Sequence, residues 1–280
     1  MREIPARVVT EEVARMCIEA NIFLPPDVYH ALVEKEKNCT SPSGHAILEQ
    51  ILENARIARD EEVPICQDTG YTVVFVEIGQ DLHITGGGLT DAINAGVAKG
   101  YSEGYLRKSI VSDPIRRVNT GDNTPAVIYY EIVPGEHLHM TVVPKGGGAE
   151  NMSHVAMLKP SDGIEGIKEF VVETVREAGG NPCPPIVVGV GIGGTFERCT
   201  HIAKKALLRR IGSKHPDDFY ADLERDLHER IDNIGVGPMG LGGFITVLAV
   251  HVEVFPCHIA SLPVAVNINC HAARHTFTEL

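Results

Sequence analysis

The residues of this sequence best equipped for chemistry are cysteines set in unusual turns. Cys66 follows Val63-Pro64-Ile65 and precedes Gln67-Asp68-Thr69-Gly70. A thiol beside an amide, a carboxylate, a hydroxyl and a glycine gives one loop a metal ligand and several polar contacts. Cys183 stands in Asn181-Pro182-Cys183-Pro184-Pro185, where prolines on both sides stiffen the backbone and fix the direction of the thiol. Cys270 ends an apolar run and precedes His271. By the ligand chemistry of the thiolate, the three together read as a metal centre. Cys17 falls on the apolar face of a helix and reads as a small core residue; Cys39 and Cys199 have no distinctive setting. Structural zinc favours close Cys-x-x-Cys pairs, which the sequence lacks. A rival zinc set, Cys257-His258 with Cys270-His271 and His275, matches no common spacing. Three thiolates from distant segments suit a cubane cluster better, because they leave one iron open as a Lewis acid.

Two glycine-rich segments invite other chemistry. Gly189-Val190-Gly191-Ile192-Gly193-Gly194 has the outline of a dinucleotide fingerprint, after a strand and before a helix. No βαβ continuation follows it, and Asp217 lies in a helix start rather than at a strand end. A tight turn that packs a helix close to a strand is the alternative. Lys145-Gly146-Gly147-Gly148-Ala149-Glu150-Asn151 places its lysine before the glycines, unlike a phosphate-binding loop. Its amides either cradle a carboxylate as a nest or form a flexible hairpin tip. Arg107, in Tyr105-Leu106-Arg107-Lys108-Ser109, follows a helix and could clamp a carboxylate bidentately.

The composition narrows the classes. Asp and Glu number 37 against 25 Lys and Arg, a net charge of −12, which argues against a nucleic-acid or membrane-surface role. No apolar run reaches the roughly 20 residues of a membrane span, and the N-terminal Met-Arg-Glu-Ile-Pro-Ala-Arg has no apolar stretch of a secretory signal. Seven scattered cysteines in 280 residues predict free or metal-bound thiols in a reducing cytoplasm. Tryptophan is absent, so the core must rest on Val, Ile, Leu and Ala.

The elements that must position these residues are mixed α and β, over a single domain of residues 1–280. Residues 1–60 predict a helical section. Thr10 is expected to cap a first helix, and Ser41-Pro42-Ser43-Gly44 opens another with Ile47, Leu48, Ile51, Leu52, Ala55 and Ala58 on one side. Residues 61–280 predict a sheet core with flanking helices. Strands are expected at 71–78, 126–132, 138–143, 186–190, 244–255 and 262–268, the second and third paired as a hairpin around Pro134-Gly135. Helices are expected at 90–99 (capped by Thr90), 162–178, 195–211 and 216–231.

Cys66-Gln67-Asp68-Thr69-Gly70, Lys145-Gly146-Gly147-Gly148, Cys183-Pro184-Pro185, and His258-Ile259-Ala260-Ser261-Leu262-Pro263 ending at Cys270 resemble the class I fumarate hydratase family, which includes the two-subunit L-tartrate dehydratases. The resemblance spans essentially the whole chain. It implies a [4Fe–4S] cluster on Cys66, Cys183 and Cys270, at loop and strand ends, with Cys257 as the alternative third ligand. It implies that Gln67, Arg107 and Gly147 contact the bound acid, and that Asp68 and His258 serve catalysis. Single-chain members carry a further C-terminal domain with more arginines, a lysine and a threonine proposed as base. This chain ends at Leu280, so the resemblance implies an α subunit that hydrates fumarate to (S)-malate with a separate β subunit, as a dimer of αβ pairs; L-tartrate dehydration is the alternative. Rival readings are a nucleotide-binding oxidoreductase built on Gly189–Gly194 and a zinc-binding scaffold subunit.

Overall fold

The computed structural model describes residues 2–280. In chain order the elements are β1 (Arg2–Pro5), α1 (Ala6–Ile22), α2 (Pro26–Lys37), α3 (Pro42–Glu61), β2 (Tyr71–Gly79), β3 (Leu82–Thr85), α4 (Leu89–Glu103), β4 (Val127–Val133), β5 (Leu138–Lys145), α5 (Gly147–Glu150), β6 (His154–Leu158), α6 (Gly163–Ala178), β7 (Ile186–Gly193), α7 (Phe196–Ala206), α8 (Asp218–Asp232), β8 (Val247–Phe255), β9 (Leu262–Asn269) and β10 (Thr276–Glu279). The class is mixed α/β; within the section expected to be helical, the short β1 precedes α1, α2 and α3. No helix among the described residues is long and apolar enough to cross a membrane.

The chain folds as two compact units. The first comprises Met1–Pro25, Asn54–Gly147 and Arg274–Leu280. Its sheet has the order β10-β5-β2-β4, and β1 pairs with β3 beside it. Val9, Val13 and Met16 of α1 and Ile93 and Val97 of α4 recur at helical spacing, and all are buried with Val74, Val76, Met140 and Val142 of the sheet. Each such side chain contributes about 1.5–3 kcal/mol by leaving water.

Three local expectations are corrected here. β4 and β5 do not form a hairpin: β2 lies between them, parallel to β4 and antiparallel to β5. The reason is burial. β2 is almost wholly apolar and takes the interior, while β4 keeps an exposed edge with Ile132 74 % accessible. Nor does Thr10 cap α1. The helix starts one turn earlier, after Pro5, and the Thr10 hydroxyl donates back to the carbonyls of Ala6 and Ala92. Thr90 likewise lies inside α4, whose cap is Gly88, and its hydroxyl meets the Tyr130 hydroxyl.

The second unit comprises Pro26–Glu53 and Gly148–Ala273. Its sheet has the order β6-β9-β7-β8; β8 is parallel to β7, and β9 is antiparallel. β7 is buried along its whole length. Its even residues, Ile186, Val188, Val190 and Ile192, join the core made with α6 and α8. On the other face stand Gly189 and Gly191. A Cβ at either would come within 2.1 Å of a backbone carbonyl of α7, that of Ala203 or Cys199. The glycine run therefore seats a helix directly on a strand, the packing alternative of the sequence reading.

Candidate functional site

In the first unit the loop from Ile65 to Gly70 is tied down at Ile65 and again from Asp68 to Gly70. Ile65 donates its N–H to the Asn21 carbonyl at 2.9 Å and accepts from Asn54 Nδ2 at 2.8 Å. The Asp68 N–H points at Cys66 Sγ at 3.4 Å. Arg274 donates to the Asp68 carbonyl at 2.9 Å. The Tyr101 hydroxyl reaches the carbonyls of Thr69 and Gly70, and Asn123 Nδ2 also donates to the Gly70 carbonyl. Gly70 itself has φ +70°, and a Cβ there would sit 2.6 Å from the Lys145 backbone. Only glycine fits both demands.

Asp68 is the hinge of this arrangement. Its Oδ1 accepts from Gly70 N and its Oδ2 from Gly147 N, both at 2.9 Å. Gly147 opens a single helical turn, so the Lys145–Asn151 segment is neither a loose hairpin tip nor an empty cradle: its amide already holds a carboxylate of the same chain. Gln67 is exposed beside the half-buried Cys66. The Arg107 carbonyl accepts from Thr69 Oγ1 at 3.1 Å, so the two segments are joined, and its side chain is exposed, without an ion pair among the described residues.

Beneath the loop lies a group of buried polar residues. Asn21 and Tyr101 are fully buried, and Arg274 is 3 % accessible. Burial pushes the Tyr101 phenol above its ordinary range and the Cys17 thiol up to about 12, so both stay neutral. Arg274 donates to Asn21 Oδ1 at 3.1 Å and to the Asp68 carbonyl, while its Nε has no partner among the described residues. Sequence reasoning missed Arg274, Tyr101, Asn21 and Asn123. The only signal for Arg274 was two alanines, Ala272 and Ala273, running into it directly after an apolar strand.

In the second unit, Cys183 and Cys270 sit at the same end of the sheet. Cys183 precedes β7, and Cys270 follows β9, whose Asn269 pairs with Val187. The His271 N–H and its Nδ1 both contact the Cys183 carbonyl, at 3.3 and 3.0 Å. Cys183 adopts φ +58°, a left-handed conformation rare for a side chain with a Cβ, between its prolines. Both thiols are half-buried and outside any disulfide.

Cys257 and His258 follow β8, which is parallel to β7, and so stand at the opposite end. The eight residues of β7 separate them from Cys183, on the order of 20 Å at the usual strand rise. The rival zinc set is thereby taken apart: its Cys257-His258 pair lies at one end of the sheet and Cys270-His271 at the other. Cys257 and His258 are both exposed, and His258 Nδ1 accepts from Ala260 N at 3.1 Å. They border a cleft of about 350 Å³ with Met157, Phe196 and Phe255. Elsewhere Glu36, His45 and Glu49 converge at ion-binding distance. His45 stands between two carboxylates, and its Nε2 lies at hydrogen-bond distance from Glu36, 2.7 Å, which accounts for that group.

The model of the fumarate hydratase (Fumerase) family matches residues 10–279, and the chain belongs to that family of hydro-lyases. Its relatives are named for a particular subunit. A Methanocaldococcus jannaschii protein named "Putative L(+)-tartrate dehydratase subunit alpha" is 45 % identical over 277 residues, 97 % of each chain. The "L(+)-tartrate dehydratase subunit alpha" of Escherichia coli K12 is 34 % identical over 270 residues, covering 95 % of this chain and 88 % of that one.

Proposed function

We propose that the chain is the α subunit of a [4Fe–4S]-dependent hydro-lyase that reversibly hydrates fumarate to (S)-malate, with Cys66, Cys183 and Cys270 as the cluster's protein ligands. The observation that carries this reading is the donor set. All three thiols are half-buried and outside any disulfide, open enough for iron to enter. The Cys66 sulfur already accepts a backbone N–H, the kind of bond that stabilises a metal-bound thiolate. Cys270 is favoured over Cys257 because it shares the Cys183 end of the sheet.

Bound there, the cluster supplies an open iron that acts as a Lewis acid on the departing hydroxyl. The chain's own groups do the rest. Arg107 offers an exposed, bidentate clamp for one carboxylate. Gln67 presents its amide beside Cys66 to the bound acid. Asp68 and Gly147 act as one unit: the carboxylate fixes the glycine turn, and each of its oxygens keeps a second lone pair for contact with the bound acid. His258, with Nδ1 engaged, would present Nε2 as a proton donor or shuttle. From its end of the sheet it reaches an acid at the Cys183 and Cys270 thiols only if a second copy of the chain supplies it, in keeping with a dimer of αβ pairs.

A β subunit completes the charge balance. A dicarboxylate carries two negative charges, and an unpaired buried carboxylate is costly. Among the described residues, Arg107 is the exposed cation joined to the Cys66 loop without an ion pair, which supports a partner that supplies the second carboxylate's cation and the base. The names of the relatives favour a second reading, dehydration of L(+)-tartrate. Cysteines outside any disulfide support a reducing compartment, the cytoplasm.

The test is anaerobic purification with iron and sulfide counts and an absorption spectrum. Fumarate, (S)-malate and L-tartrate are then assayed with and without the β subunit. The higher kcat/KM decides between the two acids. A chain without iron, or full turnover without a partner, overturns the corresponding part.

A further inference from the structure

We infer that Arg274 is a positioning residue: its buried guanidinium holds the Cys66 loop in place and supplies a fixed positive charge against which an anionic cluster and acid are bound. The inference rests on the cluster reading above.

Arg274 is 3 % accessible and belongs to the same unit as the Cys66 loop. Every group recorded against it is neutral. One arm donates to Asn21 Oδ1 and another to the Asp68 carbonyl. Nε is buried without a partner, and no carboxylate forms an ion pair with it among the described residues. Tyr101, which feels its charge, stays protonated. A guanidinium buried among neutral dipoles is costly, and breaking even requires an anion near it. The Asp68 carboxylate is turned to the Gly70 and Gly147 amides and forms no ion pair with Arg274, and the loop that Arg274 grips is the one on which the cluster and acid are expected. Three thiolates around a cubane core give a net negative centre, and the substrate adds two charges more.

The grip is also geometric. The Asp68 carbonyl held by Arg274 belongs to the residue whose N–H points at Cys66 Sγ and whose carboxylate holds Gly147. One rigid fork therefore sets the thiol, the carboxylate and the glycine turn together. In sequence, Arg274 is also four residues beyond Cys270.

The experiment compares wild type, Arg274→Lys and Arg274→Gln, each loaded anaerobically with cluster. Iron release to a ferrous chelator, the cluster's reduction potential and the melting temperature of the iron-free chains are read. Arg274→Gln keeps a neutral donor and loses the charge. It should release iron at least roughly tenfold faster, as loss of a charge-assisted interaction implies, and shift the potential to more negative values. Arg274→Lys should restore retention and potential towards wild type, and the iron-free melting temperatures should agree within a few degrees (about 1 kcal/mol). Equal iron release by wild type and Arg274→Gln overturns the inference alone. So does equal failure of both variants with equally lowered iron-free stability, which would make Arg274 a structural tie. A wild type that takes up no iron overturns the cluster reading and this inference with it.

Discussion

The backbone N–H of Gly147 donates to Asp68 Oδ2 at 2.9 Å, across 79 residues of sequence. Asp68 Oδ1 is held as closely by Gly70 N. The pairing joins the glycine turn to the cysteine loop through one carboxylate, with two charge-assisted bonds. Asp68→Asn keeps one acceptor oxygen and turns an NH₂ towards the other amide. Its expected effect is a loss of about 1–3 kcal/mol in urea unfolding of the iron-free chain, together with weaker cluster retention. An unchanged unfolding midpoint would mean that the two loops hold their places without it.

Gly70→Ala should be worse than an ordinary surface change. The residue needs φ +70°, and the new methyl would meet the Lys145 backbone at 2.6 Å. Strain and overlap act together, so a destabilisation of at least roughly 2 kcal/mol is expected. Thermal unfolding of the purified variant measures it; a melting temperature equal to wild type would contradict the close approach.

Replacing Cys66, Cys183 or Cys270 by Ser should strip iron from the anaerobically purified chain. Cys17→Ser and Cys39→Ser should retain it. The informative control is Cys257→Ser, because Cys257 lies at the far end of the sheet from Cys183. Full iron in that variant is expected. Loss of iron there, with retention in Cys270→Ser, would reassign the third ligand.

Arg107→Ala, assayed with the β subunit present, should lower kcat/KM by at least roughly tenfold, the effect of losing one charge-assisted carboxylate bond. Iron content should stay at the wild-type level. Unchanged kinetics would return Arg107 to the solvated surface.

His251 supplies a pH signature. Burial, and then the neighbouring Arg209 charge, push its pKa down to about 4. Its Nδ1 hydrogen-bonds the Ala206 carbonyl at 3.2 Å. The unfolded imidazole binds a proton near pH 6.5, whereas the folded one resists until about 4. The stability from keeping His251 neutral is therefore complete above pH 6.5 and is lost as pH falls through that window, about 3 kcal/mol in all. His251→Asn keeps a comparable donor without the titration. The difference in unfolding free energy between wild type and variant should shrink by that order between pH 7 and 4; a constant difference would contradict the burial argument.

Much of this was legible in the sequence where local pattern decides. The apolar spacing of Val13, Met16 and Cys17 gave a helix, and the β-branched run of residues 71–78 gave a strand, because both periodicities are short-range. What failed was long-range. Nothing local to β4 or β5 says that β2 will come between them. The short strands Arg2–Pro5, Leu82–Thr85, His154–Leu158 and Thr276–Glu279 carry too few residues for a periodicity to show. The cysteine turns were visible because proline and glycine mark unusual backbone. Arg274 was not, because a single arginine near a chain end looks solvated until its burial is seen. His258 was visible as a motif, but its end of the sheet depends on the parallel pairing of β7 and β8.

The pairing of β9 against β7 has a further meaning. The neighbourhood of Cys183 and Cys270 is made by strand register and by the His271 contacts to the Cys183 carbonyl, none of which involves a metal. The polypeptide thus places these two thiols without a metal. Under the proposed function they are two of the three cluster ligands, and renewal after oxidative damage becomes, for them, ligand exchange on a standing template. Repair of the proposed centre then asks no rearrangement of these two thiols.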